Sequence, residues 1–327
     1  MHYHILVNPN GASGKTNAFF ERSVRPRFDA GHHPYTVYYS APDKKMDVIV
    51  KEILENSEGP QNIIVVGGDG TFNDAINGAA DFSRARFALI PSGSANDFAR
   101  DLDLMNQTDE LLDRVFEGSV KRVIDIGQLV YHNQTARINY RTKTVEPVNV
   151  KEDIVRYFNN GAGIGFDAEI CEKVELSGAK NILNKIGLGK LVYLYEAIGL
   201  IFTAKRFAVT MEFDDGRVRE IPNCLFISGM NHKYEGGGFM FGPHASDTDG
   251  LIDFTIAYPK HNSVFFRAFP SAYKGNHFRY KGVDEDRAKE VRIRCSSPVW
   301  VQTDGEIYAM CSEMTMRVLP ACLQLLI

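Results

Sequence analysis

Residues 62–73, Asn62-Ile63-Ile64-Val65-Val66-Gly67-Gly68-Asp69-Gly70-Thr71-Phe72-Asn73, decide the fold class. Ile63–Val66 is an unbroken β-branched run, the pattern of a strand buried on both faces. A Gly-Gly-Asp-Gly-Thr turn follows at once, and Phe72, Ala75, Ile76 and Ala79 then recur at i, i+3, i+4, i+7, a helix face. A glycine turn between a strand and a helix N-terminus lets backbone N–H groups approach phosphate oxygens, and the helix dipole favours negative charge. Asp69 inside that turn would repel phosphates unless a divalent metal lies between them, which points to a metal–nucleotide site. As an N-cap Asp69 would need no ligand; the whole five-residue string favours the nucleotide reading.

Working outward, strand and helix patterns alternate through the first part of the chain. Tyr3–Val7, Tyr35–Tyr39 and Arg86–Ile90 read as further strands. Helices are expected from about Thr16, over Lys44–Leu54 and over Asp109–Phe116. This rhythm predicts a parallel sheet covered on both faces, with ligand loops at the strand ends. After Lys121 the rhythm changes. Val123–Tyr131, Ala136–Tyr140, Val155–Phe158, Phe207–Phe213, Asn223–Ser228, Leu251–Ala257, Val291–Arg294 and Val299–Gln302 read as strands, with a hairpin turn at Asp214-Asp215-Gly216. One helix is expected over about Asn181–Thr203. The class is therefore α/β with two domains, a Rossmann-like α/β nucleotide domain followed by an antiparallel β-rich one. The 327-residue length suits two cores.

A net charge of −4 gives no argument for nucleic-acid binding. The five cysteines are widely spaced and form no C-x-x-C, so neither a zinc site nor a disulfide framework is expected, and a reducing cytosol is inferred. Met1-His2-Tyr3-His4 leads straight into a strand, so no signal peptide is expected. The apolar segment Leu191–Ala204 is too short to span a bilayer, so any membrane contact would be peripheral.

Four polar loops carry the chemistry. Asn8-Pro9-Asn10-Gly11-Ala12-Ser13-Gly14-Lys15 offers hydroxyl, N–H and ammonium groups. Its Gly14-Lys15-Thr16 matches only the second half of a P-loop, because Pro9 stands where the leading glycine belongs. The Gly67–Thr71 turn is the second. Pro91-Ser92-Gly93-Ser94-Ala95-Asn96-Asp97 is the third, and Thr303-Asp304-Gly305-Glu306 the fourth. Asn96 or Asp97 could serve only as an N-cap, and Asp304-Gly305 only as a β-turn. Asp69, Asp97, Asp304 and Glu306, joined by Asp125 in an otherwise apolar strand, make sense together around Mg²⁺. Phosphoryl transfer needs that metal, a phosphate cradle and a carboxylate to accept the hydroxyl proton.

In order and spacing these segments resemble the diacylglycerol kinase catalytic-domain family, the bacterial soluble lipid kinases, which are also similar to sphingosine kinases. The match continues through Asp125-Ile126-Gly127, Asn160-Gly161-Ala162-Gly163-Ile164-Gly165-Phe166-Asp167, Gly236-Gly237-Gly238, Asp249-Gly250-Leu251 and Asp304-Gly305-Glu306. The resemblance implies an α/β nucleotide domain over residues 1–130 plus 314–327 and a β-sandwich lipid domain over 131–313, with the active site in the cleft between them. It implies ATP and Mg²⁺ as cofactors. ATP would be held by Asn8, Pro9, Ser13, Gly14, Lys15, Gly67, Gly68, Gly70, Thr71, Gly93, Ser94 and Asn96. Asp69, Asp97 and Asp125 would sit in a metal–water network. Asp304 would be the general base, with Glu306 beside it, and Asp69 would also count as catalytic. A structural Mg²⁺ would be bound by the Asp249 side chain and the carbonyls of Ser246 and Leu251. Ser94 replaces the family's usual threonine but keeps its hydroxyl.

The activity so implied is an ATP-dependent lipid kinase, peripheral at the inner membrane face, phosphorylating diacylglycerol to phosphatidic acid. The alternatives are another lipid acceptor (a sphingoid base or phosphatidylglycerol), an NAD-kinase-like enzyme, and a non-catalytic nucleotide- or lipid-binding regulator. A homodimer is left open. His32, His33, His232, His244 and His277 lack metal-ligand spacing. Lys180–Arg206, with Tyr193, Tyr195 and Phe202, reads as a core-packed helix before a membrane contact, and Asp284-Glu285-Asp286 as a solvated loop.

Overall fold

A computed structural model of the chain describes residues 1–41, 44–93, 95–140, 142–177 and 199–327. Two compact units are present, Met1–Ile126 with Pro320–Ile327, and Gly127–Leu319. The expected boundaries at 130 and 314 fall at 126 and 319 instead. Most of the helix expected over Asn181–Thr203 lies outside the described residues, as do Tyr193 and Tyr195.

In the first unit, β1 (Tyr3–Val7), β2 (Tyr35–Tyr39), β3 (Gln61–Gly67) and β4 (Ala85–Pro91) form a parallel sheet in the order β2-β1-β3-β4. Gln324 and Leu325 add a parallel edge beside Arg86 and Phe87. Helices α1 (Gly11–Phe19), α2 (Arg25–Ala30), α3 (Met46–Glu55), α4 (Asp69–Asn77), α5 (Asp97–Asp101) and α6 (Thr108–Glu117) complete the unit. Burial on both faces explains the unbroken apolar runs: Ile63, Ile64, Val65 and Val66 are fully buried. Phe72, Ala75, Ile76 and Ala79 are buried too, so the 3.6-residue period identified the face of α4 that packs inward. The first helix departs from expectation. It begins at Gly11 rather than near Thr16, with Ala12 and Gly14 at positive φ, and passes through one π-helical turn, Phe20–Val24, into α2. Glycine and alanine in a polar loop gave no helical period to detect.

The second unit is antiparallel. β5 (Arg122–His132), which leads into it, pairs with β8 (Ile154–Phe158), and β6 (Gln134–Asn139) pairs with β7 (Thr144–Val150). β9 (Gly161–Gly165) pairs with β12 (Phe226–Met230), β12 with β13 (Ile252–Ala257), and β13 with β14 (Val283–Ala288). β15 (Glu290–Thr303) pairs through Val209–Phe213 with β10 (Phe207–Phe213), which forms a hairpin with β11 (Val218–Cys224) around the expected Asp-Asp-Gly turn. β15 also meets β9 at Val301–Thr303 and runs antiparallel to β16 (Glu306–Leu325). Two expected strands, Val291–Arg294 and Val299–Gln302, are thus one, with a register shift between Arg294 and Val299. Asp284-Glu285-Asp286 is a correction: it lies in strand β14. Asp284 is paired with Arg219 and Asp286 with Arg217, so neighbouring cations permit charge in a strand that composition alone would assign to a loop. α7 (Phe166–Ser177) follows β9 directly.

Candidate functional site

In the first unit, the β3–α4 and β4–α5 loops are packed backbone to backbone. A Cβ added to Gly93 would lie 2.6 Å from Gly68 Cα, and one added to Gly68 would lie 3.0 Å from Gly93 Cα. Ser92 N–H donates to Gly67 C=O at 2.8 Å. Gly67 is required for another reason: a Cβ there would meet Thr71 Cβ at 2.7 Å. Asn96 occupies the left-handed region, φ 53°, which asparagine tolerates better than most residues. Its Oδ1 accepts Gly93 N–H at 3.0 Å and its Nδ2 donates to Gly93 C=O at 2.9 Å, closing the third loop on itself. Asn8 Nδ2 donates to Thr71 Oγ1 at 3.3 Å, and Thr16 Oγ1 lies 3.2 Å from Ser92 Oγ. Three loops that are distant in sequence are thereby stitched together around the N-termini of α1 and α4. The first N–H groups of these helices have no intrahelical partner. Pro9 leads into α1, Gly14 and Lys15 are exposed on its first turns, and Gly70 lies in the first turn of α4. Ser94 and the side chain of Ser13 lie outside the described residues.

The aspartates of this unit do something other than gather. Asp69 Oδ2 accepts Asp97 N–H at 2.9 Å and its Oδ1 accepts Phe98 N–H at 3.2 Å, so Asp69 caps α5 rather than its own helix. Asp97, almost fully buried, pairs with Arg100 at 2.7 Å. Asp125 Oδ1 accepts Ala321 N–H at 2.7 Å and pins the returning chain where Ala321 takes φ 47°. Among the described residues no three His, Cys, Asp or Glu side chains converge on a metal position. Each of the three carboxylates expected in a metal–water network thus has a protein donor within hydrogen-bond reach, backbone N–H groups for Asp69 and Asp125 and a guanidinium for Asp97.

In the second unit, Asp304 and Gly305 are the two central residues of the β15–β16 hairpin, with φ of 48° and 82° between paired Thr303 and Glu306. Positive φ at both positions is the two-residue turn that Asp-Gly favours. The turn reading and the functional reading of this dipeptide are thus compatible. The Asp304 carboxylate accepts Asn159 N–H and Asn160 N–H, both at 2.8 Å, and Gly161 N–H at 3.0 Å. Glu306 stands beside it, half-buried, at the start of β16.

Two further residues beneath this turn carry only a weak signal in the sequence. Gln302, fully buried, accepts Gly305 N–H at 2.7 Å and donates to Asp167 at 2.8 Å and Glu235 at 2.7 Å. Its signal is a polar residue ending the apolar run Val299-Trp300-Val301. Asn159 is fully buried with both amide atoms lacking a protein partner; its signal is an Asn-Asn pair before a glycine-rich strand. Burial pushes the Asp167 carboxyl up to about 6. Gly163 is glycine because a Cβ there would lie 1.7 Å from Asp167 Oδ2. Asp167 and Ser228 line a small pocket, about 20 Å³, whose other walls are mostly aromatic, Phe226, Phe241, Phe265 and Phe269 among them.

At the second expected metal site, a guanidinium stands beside the carboxylate. Asp249 Oδ2 lies 2.6 Å from Arg287 Nη2, and its Oδ1 accepts Leu251 N–H at 3.1 Å. Arg287 also pairs with buried Asp253 at 3.0 Å and donates to His244 C=O. A guanidinium thus supplies the positive charge at Asp249, and Ser246 Oγ lies 3.4 Å from Thr248 Oγ1 within the same turn.

Comparison with known proteins bears on both units. The model of the diacylglycerol kinase catalytic domain matches residues 2–129, and that of the YegS C-terminal NAD kinase beta sandwich-like domain matches residues 163–327. A diacylglycerol kinase of Bacillus subtilis is 30% identical over 251 residues, 76% of this chain and 72% of its own. One of Mycobacterium tuberculosis is 23% identical over 270 residues, 83% and 78% of the two chains. A crystal structure of a diacylglycerol kinase from Bacillus anthracis has a similar fold, with TM-score 0.67 at 20% identity over 99% of this chain and 96% of its own.

Proposed function

This chain belongs to the diacylglycerol kinase catalytic-domain family and is a kinase; from that premise we propose that it transfers the γ-phosphate of ATP to the hydroxyl of a membrane lipid, diacylglycerol before other lipids. The observation that carries the lipid assignment is Gln302. One amide ties the turn bearing Asp304 to Asp167, which lines an aromatic-walled pocket. The cavity is about 20 Å³, so it would have to open to admit an acyl chain; its aromatic lining, with the polar groups of Asp167 and Ser228, is what suits a lipid bearing a hydroxyl.

The three stitched loops of the first unit would cradle the phosphates, with the α4 N-terminus supplying N–H donors and dipole. Mg²⁺ would arrive with the nucleotide and would supply positive charge to offset that of the phosphates. Asp304, placed by three backbone N–H groups, would accept the hydroxyl proton as the acceptor oxygen bonds to the γ-phosphorus and the bond to the departing ADP breaks. Asp167 and Ser228 would orient the acceptor. Five free cysteines suit a cytoplasmic location, with the protein working at the inner membrane face.

The test is incubation with labelled ATP and Mg²⁺ in detergent micelles holding, separately, diacylglycerol, a sphingoid base or phosphatidylglycerol, with NAD as a soluble acceptor. Labelled phosphatidic acid is expected. Label on NAD alone would overturn the lipid assignment. Asp304→Asn should lose about 10²–10⁴-fold in kcat while retaining ATP affinity, because asparagine tolerates the turn's positive φ but lacks the basicity. Undiminished kcat would remove Asp304 from the chemistry.

A further inference from the structure

From Phe254 to Val283 the chain carries no Asp or Glu, yet Lys260, Arg267, Lys274, Arg279 and Lys281 fall within it, in a protein of net charge −4. All five are exposed. The helix Phe265–Ala272 in this stretch has two apolar sides. Phe265, Ala268 and Ala272 are buried, and Phe265 and Phe269 wall the pocket described above. The opposite side presents Phe266, 42% exposed, and Arg267. Tyr273, 53% exposed, and Lys274 continue it past the helix end. The Phe266 ring lies 5.7 Å from that of Phe202, itself 69% exposed and followed by Lys205 and Arg206.

Single exposed apolar residues need no explanation, but Phe266 and Tyr273 among the cations of an acid-free stretch, with the Phe202 ring beside Phe266, do. We propose that this face, centred on Phe266, Arg267, Tyr273 and Lys274, seats the protein on an anionic phospholipid bilayer. The rings would enter the headgroup region and the cations would meet anionic headgroups. Aromatic rings with cations also suit single-stranded nucleic acid. The bilayer is favoured because the same short helix walls the acceptor pocket with its inner side, so a lipid leaving the bilayer would pass from one face of the helix to the other. In that choice of partner the inference rests on the lipid-kinase reading, but the contact can be measured without catalysis.

The experiment is cosedimentation of the full chain, without ATP, with vesicles of phosphatidylcholine alone or with added phosphatidylglycerol. Binding is expected to the anionic vesicles and to weaken as salt is raised. Each basic residue at such a surface contributes about fivefold in partitioning, so Arg267→Glu with Lys274→Glu should lower it about 25-fold or more. Phe266→Ser should lower it at every salt concentration. Both variants should phosphorylate micellar lipid as the wild type does, which shows that they are folded. Failure of the wild type to sediment with anionic vesicles, unchanged partitioning of both variants, or binding to a single-stranded oligonucleotide without vesicle binding would each overturn the inference. Vesicle binding that responds to these substitutions in a protein that labels NAD but no lipid would defeat the lipid-kinase reading and support the membrane face.

Discussion

The carboxylate of Asp69 accepts the backbone N–H of Asp97 at 2.9 Å, so one member of an expected metal cluster caps the helix that begins at another. This bond, with that to Phe98, anchors α5 to the glycine turn and couples the second and third loops.

Asp69→Ala should therefore cost stability as well as turnover. Losing a side-chain cap costs about 0.5–2 kcal/mol, which should appear as a lower Tm in the absence of nucleotide. Asp69→Asn, which keeps one acceptor oxygen, should recover part of that loss. A Tm unchanged in Asp69→Ala would show that the cap carries no weight.

Gly93→Ala tests the stitching directly. The added methyl meets Gly68 Cα at 2.6 Å, a backbone atom with nowhere to go. The two loops must separate, and ATP affinity should fall more steeply than in Gly14→Ala, whose Cβ would enter open space although its positive φ is strained. Equal affinities in the two variants would count against a shared cradle.

The Asp167 carboxyl is pushed up by burial from 3.8 to about 6. Below about pH 4 folded and unfolded chains both hold this proton, and the group costs nothing. Between about pH 4 and 6 the unfolded chain releases it first, so stability falls as pH rises; above that the penalty is constant. Asp167→Asn, which keeps an acceptor for Gln302, should gain stability over wild type at pH 7 but not at pH 4. Urea midpoints at the two pH values measure this, and a pH-independent difference would rule out the titration.

Arg287 in place of a metal predicts a Tm that does not respond to Mg²⁺ when ionic strength is matched. Arg287→Ala leaves Asp249 and buried Asp253 facing each other without a cation. Its cost should fall between the ~1 kcal/mol of an exposed pair and the 3–5 kcal/mol of a buried one, and Mg²⁺ should restore part of it. A wild-type Tm that rises with Mg²⁺ would return the metal to Asp249.

What the sequence by itself determined is what depends on neighbours along the chain. The buried strand Ile63–Val66, the inward face of α4 and the Asp304-Gly305 turn all follow from local period or backbone preference, and each is legible within a few residues. The start of α1 was hidden because Gly11-Ala12-Ser13-Gly14 has no apolar period, and β14 because Asp284 and Asp286 find their arginines on another strand. Only tertiary structure decided where carboxylates point. Asp69, Asp125 and Asp249 look alike in sequence, since each is an acid in a loop or strand. Their partners are the N–H groups of Asp97 and Phe98, the N–H of Ala321, and the guanidinium of Arg287. A carboxylate takes whichever donor folding brings within hydrogen-bond reach. These donors come from 28, 29, 196 and 38 residues away, a distance over which no local pattern carries information.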